Sequence, residues 1–158
     1  MPGRQLKEYL DRYHTKYMMI AHSPAYTAQE IAATAHVPGR ELAKTVIVKL
    51  DGKMAMAVLP ASFQVDLALL KEATGAKTVE LASEAEFKDL FPDCEIGAMP
   101  PFGNLYGMPV YAAQTLAEDE EIVFNSGTHR ELIRMAYEEF SKLVQPKVVR
   151  FSAVQIGA

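Results

Sequence analysis

The chain has 158 residues, 49% of them hydrophobic and 23% charged, which is the composition of an ordinary soluble domain able to bury a substantial core. Its formal net charge of −4 excludes a global basic field, so any contact with nucleic acid has to come from a local patch. The single cysteine excludes an internal disulfide and predicts a reduced, cytoplasmic setting, and neither a membrane span nor a signal peptide is indicated.

The first half of the chain predicts a helix, a strand, a second helix and a hairpin, in that order. Apolar residues at helical spacing from Leu6 to Tyr13 predict an amphipathic helix, and Tyr17 to Ala21 predicts a short strand. The segment from Thr27 to Ala35 begins with the spacing of a capping box and continues as a small helix. The segment from Lys44 to Leu59 predicts a β-hairpin, because two apolar runs flank the strong turn signal Asp51-Gly52.

The second half of the chain interleaves helices with strands. Capping signals predict helices from Asp66 to Thr74, from Ser83 to before Pro92, and from Thr128-His129-Arg130-Glu131 to about Val144. Strands are predicted at Lys77–Leu81, Met108–Gln114, Glu121–Asn125 and Lys147–Phe151. Because this order lacks strict βαβ repetition, it predicts a single α/β domain over residues 1–158, with a mixed, strongly bent sheet and helices packed outside.

The loop Gly97-Ala98-Met99-Pro100-Pro101-Phe102-Gly103, which we call the proline-glycine loop, lies between the helix predicted to end before Pro92 and the strand predicted to begin at Met108. Its prolines fix φ and lack N–H groups, whereas its flanking glycines admit backbone angles that other residues avoid. The loop can therefore present backbone N–H groups to a ligand, with Phe102 as an apolar wall. It can equally be a tight connection whose prolines stop a helix, and the residues alone leave both interpretations open.

Lys44 is the first candidate for a functional side chain. It shares one face of its strand with Val46 and Val48, because side chains alternate along a strand. A lysine in this position either extends past the strand end into solvent or points into a cleft, and the sequence favours neither. In a cleft, its ammonium would hold a phosphate or a developing negative charge.

Histidines and the cysteine supply further candidates. His129 falls in the first turn of a predicted helix, where the dipole disfavours a charged imidazole, so a neutral ring there would donate to a ligand or orient water. An exposed histidine at a helix start is an equal alternative, and His22, at a strand end, has a weaker case. Cys94 is expected to be a structural thiol, and the sequence carries no metal-ligand cluster, phosphate loop or dinucleotide fingerprint.

Three segments together resemble the YbaK-like family, which comprises free-standing aminoacyl-tRNA deacylases and the editing domain inserted in bacterial prolyl-tRNA synthetases. The run Arg40–Val48 resembles the lysine-bearing strand of that family, and Gly97-Ala98-Met99-Pro100 resembles its Gly-x-x-Pro loop. The run Phe124–Arg130 is similar to the segment that closes the pocket in alanine-specific members. The segments occur in the family's order, and the likeness extends from Leu6 to Phe151.

The resemblance implies a mixed α/β fold on a bent, partly barrel-like sheet, and hydrolysis of the ester that joins a wrong amino acid to the 3′ end of tRNA. It assigns catalytic roles to Lys44, Gly97 and His129, with backbone N–H groups of the Gly97 loop binding the oxyanion. Binding roles fall to Thr45, His22, Ala98, Met99, Pro100, Phe102, Gly103, Ser126, Gly127 and Thr128. It implies no metal, cofactor or membrane; the partners it implies are the acceptor end of aminoacyl-tRNA and, as a second candidate, prolyl-tRNA synthetase.

The residue pattern leaves the amino acid open. Family members that edit alanyl-tRNA often carry asparagine after the lysine, whereas Thr45 resembles the cysteinyl-tRNA(Pro) deacylases and His129 the alanine-editing group. Our first expectation is a trans-editing hydrolase that acts on Ala-tRNA(Pro). The alternatives are a deacylase for Cys-tRNA(Pro) or another small amino acid, and a non-catalytic module of the same fold that binds tRNA or a synthetase.

Overall fold

The computed structural model describes residues 4–21 and 42–154 and combines helices with three β-sheets, which confirms the predicted mixed α/β class. The strands formed within these ranges are β1 (Tyr17–Ala21), β2 (Ala43–Leu50), β3 (Lys53–Pro60), β4 (Phe63–Val65), β5 (Val79–Leu81), β6 (Val110–Ala113), β7 (Glu121–Asn125), β8 (Glu131–Ala136), β9 (Lys147–Val149) and β10 (Ser152–Val154). The helices are α1 (Arg4–Arg12), α2 (Leu67–Thr74), α3 (Glu84–Phe87), α4 (Gln114–Ala117) and α5 (Tyr137–Val144), with 3-10 turns at Lys88–Leu90 and Gly103–Leu105.

The largest sheet has five strands in the order β5-β2-β3-β6-β9. Strand β2 pairs antiparallel with β3 and β5, whereas β6 pairs parallel with β3 and β9. A three-stranded antiparallel sheet, β1-β8-β7, is connected to it by a parallel bridge between Leu42 and Val123, and β4 with β10 forms a separate pair. No sheet closes on itself within residues 4–21 and 42–154, so the partly barrel-like form is not confirmed.

The hairpin β2–β3 is confirmed together with its predicted turn. Asp51 and Gly52 have φ angles of 52° and 82°, as a two-residue turn between twisted strands requires. The Asp51 carboxylate accepts hydrogen bonds from the backbone N–H groups of Lys77 and Thr78, both at 2.9 Å. These bonds tie the turn to the segment leading into β5, and the hairpin places Lys44 near its open end.

Two of the predicted capping signals are confirmed. The Asp66 carboxylate accepts a hydrogen bond from Leu69 N–H at 3.0 Å, and Gly75, with φ of 73°, ends α2 in the left-handed region. In the reciprocal box at α3, Ser83 N–H donates to Glu86 Oε1 at 2.8 Å and Glu86 N–H donates to Ser83 Oγ at 3.3 Å. Helix α1 and strand β1 also form where the sequence predicts them.

An aromatic cluster around Phe102 joins the proline-glycine loop to the core. The Phe102 side chain is fully buried, and its ring centroid lies 5.6 Å from that of Phe124 on β7 and 5.5 Å from that of Phe140 on α5. The ring of Tyr9 on α1 lies 6.1 Å away on another side. Aromatic pairs at such separations stabilise a core by about 0.5–1.5 kcal/mol each beyond the area they bury. The C-terminal half of the loop is thereby held by three different elements.

The helix predicted to begin at Thr128-His129-Arg130-Glu131 is wrong. Residues 131–136 form strand β8, and helix α5 begins only at Tyr137. Because β8 lies between β1 and β7, its backbone groups are hydrogen-bonded on both edges, and this non-local pairing overrides the local capping pattern. His129 therefore lies in the turn before strand β8 and not in the first turn of a helix.

Other predictions differ in extent. The final strand, predicted over Lys147–Phe151, ends at Val149 as β9, and the fully buried Phe151 lies between β9 and β10. The strand predicted to reach Gln114 instead gives way there to α4. The pair β4–β10 is not predicted at all. The helix expected at Thr27–Ala35 and His22 lie outside the described residues. No helix in the described part of the chain is long and apolar enough to span a membrane.

Phe102→Ala is expected to lower the free energy of unfolding by about 3–5 kcal/mol, because its aromatic neighbours cannot refill the space that the ring leaves. Urea denaturation measures this change. Phe102→Leu, which keeps most of the volume, is the matched control and should lose less. An unaltered unfolding free energy in the alanine variant would contradict the core assignment and favour Phe102 as the wall of an open pocket.

Candidate active site

Two loops that are distant in sequence meet beside the three-stranded sheet. We call residues 93–97 the Glu95 loop and residues 126–130, between β7 and β8, the His129 turn. The backbone N–H of Glu95 donates to the carbonyl of Gly127 at 2.7 Å, and the backbone N–H of His129 donates to Oε1 of Glu95 at 2.7 Å. The imidazole Nε2 of His129 lies 2.7 Å from the carbonyl oxygen of Ile96. Because a carbonyl oxygen only accepts, Nε2 is the nitrogen that carries the proton.

These bonds bring Gly97 against the His129 ring. A Cβ atom added to Gly97 would lie 3.4 Å from Cε1 and 3.7 Å from Nε2 of His129. Gly97 also has a φ of 85°, in the left-handed region that side chains other than glycine rarely adopt. Two of the three predicted catalytic residues are therefore adjacent; the backbone angle requires glycine, whereas an added Cβ would make only ordinary van der Waals contact with the ring.

The backbone N–H groups of Gly97 and Ala98 differ in their hydrogen bonding. Ala98 N–H donates to the carbonyl of Glu95 at 3.1 Å and so closes the turn. Gly97 N–H forms no hydrogen bond with any residue in the described ranges. Since Gly97 is exposed, its N–H is available to a ligand, whereas that of Ala98 is not.

A second set of contacts holds the start of the His129 turn. Ser126 is fully buried, and its hydroxyl donates to Oε1 of Glu131 at 2.9 Å. The ammonium of Lys7 on α1 lies 2.7 Å from the same carboxylate oxygen. The Ser126 hydroxyl is therefore used in the structure of the turn, and Glu131 joins that turn to the first helix.

The carboxylate of Glu95 is stabilised in its charged form. The hydrogen bond from His129 N–H, and next to it one from the Thr128 hydroxyl, lower the pKa of Glu95 below its ordinary value. The neighbouring side chains of His129 and Arg130 act in the same direction. Because Glu95 is exposed, solvent weakens these charge interactions, and the two directed hydrogen bonds are the main cause of the lowered pKa.

Lys44 differs from other lysines of its sheet. Its side chain is half-buried near the start of β2, and this burial lowers the pKa of its ammonium. The ammonium forms no ion pair or hydrogen bond with the described residues. On the same strand, Lys49 contacts the carboxylates of Glu86 at 2.6 Å and Glu80 at 3.2 Å. A half-buried cation without a protein counter-ion is a candidate for binding an anionic or polar ligand.

The parallel bridge between Leu42 and Val123 relates Lys44 to the His129 turn. Lys44 lies two residues beyond the bridge on β2, and Asn125 lies two residues beyond it on β7, at the strand end that leads into the turn. The Asn125 side-chain oxygen Oδ1 is buried and accepts no hydrogen bond from the part of the chain that the structure describes. A donor and an acceptor, neither of which has a partner within residues 4–21 and 42–154, thus follow the same bridge.

Most of the predicted binding residues in the proline-glycine loop belong to the core. The side chains at these positions have little or no exposed surface: Ala98, Met99, Pro100 and Phe102. A Cβ at Gly103 would lie 2.5 Å from the carbonyl oxygen of Met108, so this glycine is required by packing. Only the Gly97 end of the loop is exposed to solvent at the site.

The remaining predicted binding residues are divided between the His129 turn and β2. Ser126 and Gly127 are buried, and Thr128 is partly exposed beside Glu95. Thr45 is half-buried and, as the neighbour of Lys44 on a regular strand, points to the opposite face of β2. The structure therefore brings Gly97, His129 and Thr128 together and separates Thr45 from the face that carries Lys44.

The cysteine does not provide a nucleophile. Cys94 Sγ lies 3.3 Å from the Tyr106 hydroxyl, which donates to the Asp93 carboxylate at 3.0 Å. Burial is the main cause that raises the pKa of the Cys94 thiol to about 12, so it is protonated at neutral pH. Among the described residues, no group of three or more His, Cys, Asp or Glu side chains could hold a metal ion.

Sequence reasoning did not select Glu95 or Asn125. Asn125 lies within the segment Phe124–Arg130 that carried the resemblance, so its position was a usable signal. Glu95 has no such signal, because its partners at 127–129 are more than thirty positions away and the wrongly predicted helix hid the turn.

The model of the aminoacyl-tRNA editing domain family matches residues 22–143, a range that includes Lys44, the Glu95 loop and the His129 turn. In sequence the chain is similar to a multifunctional Ser/Thr-tRNA deacylase, ProXp-y, of Escherichia coli (strain K12). The two are 32% identical over 127 residues, covering 77% of this chain and 74% of that protein. A proline--tRNA ligase of Bacillus mycoides (strain KBAB4) is 28% identical over 89 residues, which are 56% of this chain and 16% of the ligase.

Solved structures share the fold. The crystal structure of a hypothetical protein superimposes with a TM-score of 0.85 at 22% identity, covering 95% of this chain and all of the other. A structure described as a proposed trans-editing enzyme for prolyl tRNA synthetase gives a TM-score of 0.81 at 21% identity, with 96% of each chain covered. At these identities the likeness establishes the fold alone.

The lowered pKa of Glu95 leads to a pH prediction. Since the pKa is lower in the folded than in the unfolded chain, the stabilisation is complete above the ordinary value of 4.5 and is lost as pH falls through the folded value. In an NMR titration, the amide proton of His129 should therefore shift with a midpoint below 4.5. A midpoint at or above that value would contradict the hydrogen bond to an ionised Glu95.

Proposed function

The chain belongs to the aminoacyl-tRNA editing domain family, and from this premise we propose that it is a deacylase that removes a small amino acid from mischarged tRNA. Alanyl-tRNA(Pro) is the first proposed substrate, because the segment around His129 resembles the alanine-editing group. The observation that carries the proposal is the contact of Gly97 with the His129 ring at an exposed position. A glycine N–H that has no acceptor among the described residues, together with an oriented imidazole, suits ester hydrolysis.

The reaction needs little beyond these groups. An aminoacyl ester is already activated, so the enzyme has to bind the terminal adenosine, direct water to the carbonyl carbon and stabilise the tetrahedral oxyanion. Gly97 N–H is the proposed oxyanion donor, and one such donor typically contributes about 2.7–4 kcal/mol to transition-state stabilisation. No covalent nucleophile is required, which agrees with the protonated thiol of Cys94.

Lys44 is proposed to hold the terminal phosphate or ribose. Its half-buried ammonium has no counter-ion among residues 4–21 and 42–154, so an anionic group of the ligand would supply one. The buried Oδ1 of Asn125, which follows the same bridge between the sheets, is proposed to accept a hydrogen bond from a ribose hydroxyl. Together these groups would place the ester near Gly97.

His129 is proposed to line the amino-acid pocket and orient water. Its Nε2–H donates to the carbonyl of Ile96, which fixes the ring against Gly97. The ring therefore limits the space beside the oxyanion donor. Because one methylene changes binding by only about 1–3 kcal/mol, such a wall discriminates between amino acids mainly by excluding larger ones.

Serine and threonine are the second candidate amino acids. The relative from Escherichia coli that is 32% identical over 127 residues is a Ser/Thr-tRNA deacylase. Cysteine is a further candidate amino acid, because Thr45 follows Lys44 and so resembles the cysteinyl-tRNA(Pro) deacylases. The net charge of −4 predicts weak intrinsic affinity for tRNA, so a partner would be needed to bring the substrate, and prolyl-tRNA synthetase is the proposed partner. The cytoplasm is the proposed location.

Lys44→Ala is expected to lower kcat/KM for deacylation about 10- to 100-fold, because a charge-assisted hydrogen bond to the substrate is lost. Release of labelled amino acid from Ala-, Ser-, Thr-, Cys- and Pro-charged tRNA measures the effect. Lys53→Ala, which removes an exposed lysine at the other end of the hairpin, is the control and should retain full activity.

Each result of this panel has a direct reading. Cleavage of Ala-tRNA(Pro) with protection of prolyl-tRNA supports the first proposal, and a preference for Ser- or Thr-tRNA supports the second. Binding of tRNA without release of any amino acid would overturn both and indicate a non-catalytic module. Equal activity of wild type and Lys44→Ala would remove the proposed role of the lysine.

A further inference from the structure

We propose that Glu95 is a positioning residue that holds His129 against Gly97, an inference that rests on the proposed function of that site. Glu95 is exposed and does not belong to the core, so its role is not explained by hydrophobic packing. Its backbone N–H and its carboxylate are directed toward the His129 turn. It acts through His129 and need not contact the substrate.

The main chain and the side chain of Glu95 both bind the same three-residue segment. Its N–H donates to the Gly127 carbonyl at 2.7 Å, and its Oε1 accepts from His129 N–H at 2.7 Å. The hydroxyl of Thr128, which lies between them, helps to lower the pKa of the carboxylate. Both ends of this three-residue segment are thus bonded to one residue of the other loop.

The next residue completes the arrangement. Ile96 accepts the ring Nε2–H of His129 at 2.7 Å, so the backbone and the ring of His129 are bonded to neighbouring positions of one loop. Gly97 follows directly and contacts the same ring. Without the Glu95 acceptor, the backbone of His129 would lose its bond to the Glu95 loop, and the distance between the ring and Gly97 would no longer be set by bonds to two neighbouring positions of that loop.

The carboxylate is suited to positioning rather than to binding the ligand. Its Oε1 already accepts the His129 N–H, and its negative charge would repel the phosphate groups of a nucleic acid. Glutamine retains an oxygen that can accept the same bonds, whereas alanine removes the acceptor. The Glu95 N–H to Gly127 bond is a backbone contact and persists in both variants, so the comparison isolates the side chain.

The test compares Glu95→Ala with Glu95→Gln, and with Glu72→Ala as a control that removes an exposed carboxylate from α2. NMR hydrogen exchange of the His129 backbone N–H and ring Nε2–H reports the geometry without any activity. Single-turnover deacylation under saturating enzyme reports the chemical step. The alanine variant should exchange both protons at least about 10-fold faster and cleave about 10- to 100-fold more slowly, as loss of a hydrogen bond to a charged group implies.

The glutamine variant and Glu72→Ala should remain close to wild type in both measurements, and tRNA affinity should be unchanged in all three. Should Glu95→Ala fail to fold, Glu95→Asp, whose shorter side chain draws the carboxylate away from His129 N–H, takes its place with the same expected direction. Protected His129 protons in the alanine variant would overturn the inference whether or not tRNA is hydrolysed. Faster exchange with a normal rate of cleavage would overturn the positioning role alone, whereas a wild type that cleaves none of the substrates would overturn the proposed function.

Discussion

Hydrogen bonds from the His129 turn to residues 95 and 96 create the candidate site, because they join segments that are more than thirty positions apart. Other contacts fix each of the two segments independently of these bonds. The pairing of β7 with β8 and the contact of Ser126 with Glu131 shape the turn, while buried Phe102 fixes the other end of the proline-glycine loop. Between these supports, Gly97 is left exposed with its N–H available to a ligand and its Cα against an imidazole ring.

Lys44 differs from two other lysines of the chain in its charged neighbours. Lys49 and Lys7 contact carboxylates, and their positions are explained by those partners. Lys44 is half-buried and has no counter-ion in the described ranges. Its ammonium therefore loses hydration energy that no ion pair with a described residue offsets. A half-buried ammonium of this kind favours the binding of an anion. Because the attraction is local, it does not require an overall positive charge, which agrees with the net charge of −4.

Features of the fold that depend on neighbours in sequence could be predicted, and those that depend on distant partners could not. The Asp51-Gly52 turn, the Asp66 cap and the Ser83 box are local, and the structure confirms them. The segment after Thr128 has equally good capping spacing, yet it forms β8 because β1 and β7 supply hydrogen bonds on both edges.

The same distinction applies to the site. Gly97 and His129 were selected from residue chemistry and family resemblance, and the structure brings them into contact. Phe102 was expected to form an apolar wall, but its burial by α1, α5 and β7 depends on contacts that no local pattern encodes. Glu95 was missed for the same reason: nothing in the local sequence distinguishes this exposed glutamate, and its partner, His129, is 34 positions away.

Titration with a non-hydrolysable aminoacyl-adenosine, in which an amide replaces the ester, tests the central claim most directly. If Gly97 N–H is the oxyanion donor beside His129, the NMR signals of the Gly97 amide and the His129 ring should shift together and saturate at one ligand per chain. Saturable binding that leaves both signals unchanged would contradict this account of the site.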